Sequence, residues 1–164
     1  MNKEECIEYV KELGGIETKD GWNVPKSVYL HNKNLTEIPI KFNIVQGNFH
    51  CSDNQLTSLK NSPKEVKGNF TCSDNQLTSL KYSPKIVKGF FCSFNKLTSL
   101  KYLPKVVQGH FSCSENKLTS FKYAPKIVQG NFYCDKGVFK GKEYYKLLLD
   151  EKVITESEYL LRII

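Results

Sequence analysis

Apolar residues recur along most of this chain at intervals of 20 or 21 residues, with polar positions between them in a fixed order. In the copy "NFTCSDNQLTSL", Phe70 and Cys72 alternate with polar neighbours, which predicts a short strand with both side chains on one face. Leu77 and Leu80 follow a polar gap and are expected to point inward as well. The copies align on the cysteines Cys51, Cys72, Cys92, Cys113 and Cys134. Since one such unit cannot bury its own apolar face, the pattern predicts coils that stack around a shared core.

Asparagine, proline and glycine recur with the same spacing and predict how each coil turns. An asparagine follows each strand, and the side-chain amides are expected to form a ladder that satisfies backbone groups. These residues are Asn54, Asn75, Asn95 and Asn116. A proline in each unit excludes a helix on the return path, and a glycine marks the turn before each strand. The predicted fold is an α/β-type repeat solenoid with short parallel strands on its concave face and an extended or polyproline-like convex side.

The unit F-x-C-S-x-N-x-L-T-S-L, repeated every 20 or 21 residues, has the spacing of a leucine-rich repeat. It resembles the short bacterial-type leucine-rich repeats of type III effectors and, more closely, the arrays found in tailed phages and giant viruses. The chain departs from that pattern at Lys33 and Gly137, which occupy the asparagine position in the first and last coils. The resemblance implies a solenoid, a binding role and a phage or viral setting.

Helical caps are expected at both ends of the stack. Asn2 with Glu5, and Thr155 with Glu158, have the spacing of a capping box, in which two side chains satisfy backbone N–H groups at a helix start. The predicted organisation is an N-terminal helical cap at 1–24, a solenoid of about five to six coils at 25–140, and a C-terminal helical cap at 141–164.

The formal net charge of +7 is concentrated in the middle of the chain. Twelve lysines and four acids lie between Cys51 and Cys134, whereas the first twelve residues contain four glutamates. No apolar run is long enough for a transmembrane helix, and the N-terminus lacks the apolar segment of a secretory signal. With six cysteines and no export signal, we expect a reducing cytoplasm, which would be the host cytoplasm for a viral protein.

Lysines occupy two fixed positions of the repeat and are expected to form a basic ladder. They are Lys60, Lys81, Lys101 and Lys122 in one row and Lys64, Lys85, Lys105 and Lys126 in the other. Tyr82, Tyr102 and Tyr123 directly follow three of them. The ladder has three interpretations, which are a solvated surface, a site for an acidic protein, and a track for a nucleic-acid backbone.

Outward positions of the strands are the predicted protein-binding site, because the concave face is the usual docking surface of a solenoid. The candidates are Tyr29, His31, His50, Asp53, Asp74, Phe91, Phe94, Glu115 and Tyr133. Phe91 and Phe94 break the small or polar character of this set, so they are candidate hot spots. Alternatively, they pack against each other or against a terminal element.

The cysteines and histidines do not form a recognisable catalytic or metal site. Five thiols in a row on one side of a core do not converge tetrahedrally, and no C-x-x-C pair is present, so we interpret the cysteines as small apolar packing residues. The three histidines have no accompanying nucleophile and orienting acid. We therefore expect no enzyme activity, no metal and no cofactor.

The favoured hypothesis is a non-enzymatic protein–protein interaction module. In a phage or viral setting it would be an accessory protein that binds a host protein through the concave face, and whether such binding inhibits, recruits or scaffolds is open. One alternative is a nucleic-acid binder that uses the basic ladder. Another is a structural protein that assembles with copies of itself. The oligomeric state is open, and no membrane partner is expected.

Overall fold

The chain folds into a β-solenoid of about five turns, built from stacked parallel coils with short helices at its ends. The computed structural model describes residues 1–151 and 153–163, without the side chains of Leu160, Arg162 and Ile163. The predicted C-terminal cap includes Lys152 and Ile164, which lie outside the described residues. The helices are α1 (Lys3–Glu12), α2 (Lys142–Asp150) and α3 (Glu156–Ile163). The strands are β1 (Ile16–Thr18), β2 (Gly21–Val24), β3 (Val28–Tyr29), β4 (Phe42–Val45), β5 (Phe49–His50), β6 (Glu65–Val66), β7 (Phe70–Thr71), β8 (Phe90–Phe91), β9 (Val106–Val107), β10 (Phe111–Ser112), β11 (Ile127–Val128), β12 (Phe132–Cys134) and β13 (Gly137–Phe139).

One side of the stack is a seven-stranded sheet in the order β13-β12-β10-β8-β7-β5-β3. Its strands are parallel and in register except for β13, which is antiparallel to β12. In-register pairing aligns equivalent positions of successive coils, so that Phe49 lies opposite Phe70 and His50 opposite Thr71. The short parallel strands that the sequence predicted are therefore confirmed.

The return segments form further sheets on the opposite side, in the orders β1-β2-β4-β6 and β11-β9. The sequence predicted an extended or polyproline-like path here, and the extended conformation is present. Successive segments also pair as short parallel strands, with Lys85 N–H donating to the Lys64 carbonyl at 2.9 Å. Each proline precedes the paired residues, so its missing N–H removes none of these hydrogen bonds.

Each coil contributes the same apolar side chains to one continuous core. The aligned phenylalanines Phe49, Phe70, Phe90, Phe111 and Phe132 are fully buried, and neighbouring rings lie 5.1 to 6.4 Å apart. The strand cysteines, the two leucine rows and the valines of the return segments complete the interior. Truncating one of these phenylalanines to alanine is expected to cost about 3–5 kcal/mol.

The predicted asparagine ladder connects each coil to the one before it. The Oδ1 of Asn75 accepts the Leu56 N–H at 2.9 Å, and its Nδ2 donates to the Cys51 carbonyl at 3.0 Å. The same amide group also donates to the Cys72 and Ser73 carbonyls of its own coil. Asn54, Asn95 and Asn116 make equivalent bonds. A side chain thus satisfies backbone groups at the corner where no strand pairing is available.

The N-terminal end of the stack is covered by α1 and by a hairpin. The predicted capping box of Asn2 and Glu5 starts α1, and Gly14 with φ +81° follows its end. The Tyr9 hydroxyl accepts the N–H of Tyr29 at 3.0 Å, which satisfies a donor of the edge strand β3. The β1–β2 hairpin, which lies within the predicted cap at 1–24, was not predicted.

At the C-terminal end, α2 and α3 pack together over the last coil. The buried Tyr144 ring lies 5.1 Å from Phe132, and its hydroxyl donates to the Pro125 carbonyl. Thr155 and Glu158 form the predicted capping box, with the Glu158 N–H donating to the Thr155 Oγ1 at 3.2 Å. Among the described residues, no helix has the length and apolar run that crossing a membrane requires.

Candidate functional site

We use the name strand face for the outward side chains of the seven-stranded sheet and of the residues directly after each strand. It contains all nine predicted protein-binding residues: Tyr29, His31, His50, Asp53, Asp74, Phe91, Phe94, Glu115 and Tyr133. The parallel register brings them together, because neighbouring strands lie only about 4.8 Å apart.

Phe94 occupies a backbone position that has left-handed geometry in five successive coils. The equivalent residues are Asn32, Asp53, Asp74, Phe94 and Glu115, with φ between 52° and 54°. Asparagine and aspartate tolerate this region best, whereas other non-glycine residues cost roughly 1–2 kcal/mol there. The conformation is imposed by the stack, since the Phe94 N–H donates to the Ser114 carbonyl at 3.0 Å, as the Asp74 N–H does to the Ser93 carbonyl.

The Phe94 ring is also exposed, with 55% of its surface accessible to solvent. It has no aromatic ring contact within the described residues. A large apolar side chain at this position therefore has two free-energy costs. The left-handed backbone disfavours a phenylalanine, and the exposed ring leaves apolar surface in contact with water. Unfavourable local choices of this kind are concentrated at functional sites, where binding compensates for them.

Phe91 differs from Phe94 in a way that the sequence did not predict. Its ring is half-buried, and a Cβ atom at Gly89 would lie 3.0 Å from its Cε2. The ring therefore lies against a glycine of its own coil. The two phenylalanines are not an equally exposed pair, and Phe94 is the more prominent.

The coil with these two phenylalanines also lacks one residue. Other coils have an extra residue between glycine and phenylalanine, as in Gly68-Asn69-Phe70, whereas Gly89 is followed directly by Phe90. In the earlier coils this extra residue connects neighbours, with the Asn69 N–H donating to the Asn48 Oδ1 at 2.8 Å. The departures from the repeat thus coincide in one coil near the middle of the strand face.

Aromatic rings cluster at the N-terminal end of the strand face. Tyr29 stacks on His50 with ring centroids 5.1 Å apart and meets His31 edge-on at 6.1 Å. Partial burial lowers the pKa of His50, and the neighbouring charge of His31 lowers it further. His50 is therefore neutral near pH 7, which suits a stacked position beside another imidazole.

Carboxylates of adjacent coils influence each other on the same face. Partial burial raises the pKa of Asp74, and the nearby charge of Asp53 adds to this effect. Glu115 is exposed two coils further along, and its N–H donates to the Asp135 carboxylate at 2.6 Å. Tyr133, in β12, accepts a hydrogen bond from the Asn131 side chain at 2.9 Å.

The lysines of the predicted basic ladder lie at a different corner, where each coil turns into its return segment. Seven of the eight are exposed and Lys126 is half-buried. Lys64 is paired with Asp20 at 3.1 Å and Lys126 with Glu158 at 2.7 Å. Within the described residues the remaining six have no ion pair with an acid.

Three tyrosines of this corner also have left-handed backbone geometry. Tyr82, Tyr102 and Tyr123 have φ between 73° and 81°, and 41 to 50% of their surface is exposed. The preceding lysine ammonium lies 5.0 to 5.3 Å from each ring centroid, in cation–π contact. Asn61 has the equivalent position one coil earlier, with φ 72°, and its amide donates to the Ile38 carbonyl at 2.9 Å.

Two open cavities follow one another along this corner. The first, of about 640 Å³, is lined by three successive coils and includes Lys60, Lys85, Tyr82 and Ile86. The second, of about 380 Å³, includes Tyr102, Lys105, Lys122 and Tyr123. We use the name lysine–tyrosine groove for the eight ladder lysines, the three tyrosines, Ile86 and Val106.

The sequence prediction missed the apolar part of this groove. Ile86 and Val106 are exposed on the outer side of the return segments, beside the buried Val87 and Val107. Alternation around each inward valine was the available signal, because neighbouring residues of a strand point to opposite faces. The predicted polyproline-like path obscured that alternation.

The strand cysteines lie in the core and away from both surfaces. All five are buried, and the Cys51 Sγ donates to the Thr71 carbonyl at 3.4 Å. Burial raises the pKa of Cys51 to about 12, so its thiol remains protonated and apolar at neutral pH. Among the described residues, no three histidine, cysteine or acidic side chains are grouped as metal ligands. These observations favour the interpretation of the cysteines as packing residues.

Comparisons of this chain with protein-family models, with curated proteins and with solved structures found no match.

Proposed function

We propose that this protein is a non-enzymatic interaction module that binds a protein partner through the strand face, with Phe94 as the anchor. In this proposal the coils are leucine-rich repeats of the short bacterial and phage type, and the strand face is their concave side. The setting is a phage or viral accessory protein, and the partner is a protein of the host cytoplasm.

The observation that carries the proposal is the combination of exposure and left-handed geometry at Phe94. The other coils place asparagine, aspartate or glutamate at this position, so the stack itself does not need an aromatic ring. Exposed aromatic residues near the centre of a surface are the residue class that most often dominates binding energy. The nearby Phe91 and the acids Asp74 and Glu115 would form the surroundings of this anchor.

The proposal predicts a partner whose affinity depends on Phe94. Phe94→Asn introduces the residue that Asn32 has in the same conformation, so the variant should fold at least as well as the natural chain. We would immobilise both proteins, identify captured host proteins by quantitative mass spectrometry, and titrate the purified partner. F94N should weaken its binding by about 30-fold or more, the loss expected for a hot spot.

The matched control is the triple variant Y82N/Y102N/Y123N, which changes three left-handed positions on the other surface. It should retain the partner with unchanged affinity. If every captured protein bound F94N as tightly as the natural chain, the assignment of Phe94 as the anchor would be wrong.

The ends of the stack argue against self-assembly by end-to-end stacking of copies. The Tyr9 hydroxyl occupies a donor of the first edge strand, and Tyr144 covers the last coil. Both contacts obstruct the end-to-end stacking that would continue the solenoid. Light scattering that showed concentration-dependent growth of the purified protein would favour assembly instead.

A further inference from the structure

The lysine–tyrosine groove has a composition that a merely solvated surface does not require. Among the residues whose exposure the structure describes, half of the exposed large apolar side chains lie in it, namely Tyr82, Ile86, Tyr102, Val106 and Tyr123. They lie among lysines rather than being scattered over the surface. A continuous surface that is both apolar and charged in this way usually marks a binding site.

The charge of the groove is predominantly positive, because Glu65, the acid that lines the first cavity, is paired with Lys67. The six ladder lysines without an acidic partner in the described part of the chain come from four successive coils, so the positive charge continues along the stacking axis. Like charges at such spacing repel one another, and a bound polyanion would remove that repulsion. The occupant therefore carries regularly spaced negative charges.

The rings have a geometry that favours planar partners. The ammonium group of the preceding lysine lies over each tyrosine ring, while 41 to 50% of the tyrosine surface remains exposed to solvent. One coil thus presents a cation and an exposed aromatic ring together, and the next coil repeats the pair. Single-stranded nucleic acids bind through this combination, with lysines along the phosphates and bases stacked on aromatic rings.

We propose that the lysine–tyrosine groove binds single-stranded nucleic acid without sequence preference. An acidic peptide would use the lysines but has no planar group for each ring. A duplex would also use the lysines but keeps its bases stacked inside. The site is separate from Phe94, so this proposal does not depend on the proposed protein partner.

The experiment measures binding of fluorescent ligands by anisotropy across a salt series. The ligands are an oligothymidylate of about 15 nucleotides, an abasic oligonucleotide of the same length, and poly-glutamate. The natural chain should bind the oligothymidylate at least tenfold more tightly than the abasic oligonucleotide. If about five phosphates are contacted, affinity should fall roughly 100-fold between about 50 and about 200 mM salt.

Variants separate stacking from charge. Y82N/Y102N/Y123N keeps every lysine and introduces the residue found at Asn61, so it should lose at least tenfold in affinity for the oligothymidylate and leave abasic binding unchanged. The double variant K85Q/K105Q should weaken the binding of both the oligothymidylate and the abasic oligonucleotide, because these lysines are not neutralised by acids within the described residues. F94N should change neither affinity and serves as the folded control.

Three results would overturn the proposal. The first is no binding of the oligothymidylate at about 50 mM salt. The second is equal affinity for the abasic oligonucleotide, which would show that the rings do not stack on bases. The third is tighter binding of poly-glutamate, which would assign the groove to an acidic protein.

Discussion

Four successive coils have left-handed backbone geometry at two corners, and different kinds of residue occupy the two corners. At the corner after the strand, asparagine or aspartate is common and Phe94 is the aromatic exception. At the corner before the return segment, tyrosine is the rule and Asn61 is the exception. The backbone requirement is the same at both corners, since only short polar residues and glycine adopt this conformation readily.

The strand face has one aromatic residue at its left-handed corner, whereas the lysine–tyrosine groove has three in successive coils. A single exposed aromatic residue in an otherwise polar series indicates one anchor, which suits a protein partner with one complementary pocket. Three unfavourable residues in succession indicate an extended surface, which suits a ligand that repeats along its length. The following predictions test this distinction, beginning with the framework that holds both corners in place.

Among substitutions at the corners of the coils, Asn75→Ala should produce the largest loss of stability. The variant leaves the buried Leu56 N–H without its side-chain acceptor and removes one of the two amide donors to the Cys51 carbonyl, which keeps the one from Asn54. We expect a cost of about 3 kcal/mol in the free energy of unfolding. Urea denaturation provides the measurement. The exposed neighbour Gln76→Ala is the control and should change stability by less than about 0.5 kcal/mol. Equal effects of the two substitutions would show that the ladder does not hold the corners.

Asn61→Tyr should cost less, about 2 kcal/mol. It loses the hydrogen bond to the Ile38 carbonyl and puts an aromatic residue into left-handed geometry. The same urea experiment measures it. If N61Y were instead more stable than the natural chain, the cation–π contact with Lys60 would suffice to explain the tyrosine row, and no ligand would be needed.

Asp74→Phe should cost about 1 kcal/mol, and Phe94→Asn should gain a similar amount. The two substitutions exchange a favourable and an unfavourable residue at equivalent positions of adjacent coils. Thermal or urea unfolding of both variants checks the pair. Opposite signs would show that the natural Phe94 is kept at the expense of stability. A stabilising D74F would show that this corner accepts aromatic rings without penalty.

Asp53→Asn should have the smallest effect, a decrease in the pKa of Asp74. Burial, the larger cause of the raised pKa, remains in the variant, while the repulsion from Asp53 is removed. A carboxyl with a raised pKa binds its proton more tightly in the folded chain than in the unfolded chain. The natural protein should therefore gain stability relative to D53N as the pH falls through the pKa of Asp74. NMR titration of the carboxyl groups measures the pKa directly, and an unchanged value would exclude the coupling.

Much of the fold could be predicted from the sequence because the residues that determine it recur from coil to coil. Alternation at Phe70 and Cys72, the asparagine of each turn and the capping-box pairs are local signals, and each copy reinforces the others. The β1–β2 hairpin and the antiparallel β13 occur once, at the ends, so no repetition revealed them. Which side chains are exposed was harder to predict from the sequence. From the sequence, Phe91 and Phe94 were equal candidates for binding hot spots. The space above Gly89 that accommodates the Phe91 ring exists only in the folded coil.

The asparagine ladder has a direction, and this has a consequence for synthesis. Each asparagine satisfies backbone groups of the coil before it, as Asn75 does for Leu56. A coil that has just emerged from the ribosome therefore keeps unsatisfied N–H groups until the next coil is translated and stacks on it. Removing coils from the C-terminus would leave the N–H groups that an asparagine satisfies, such as that of Leu56, without their side-chain acceptor. Removing coils from the N-terminus would instead leave return-segment N–H groups without their acceptors, since the Gln76 N–H donates to the Leu56 carbonyl at 2.9 Å. The C-terminal end of the stack has no further coil to supply an asparagine, and α2 and α3, which follow the last coil along the chain, cover it instead.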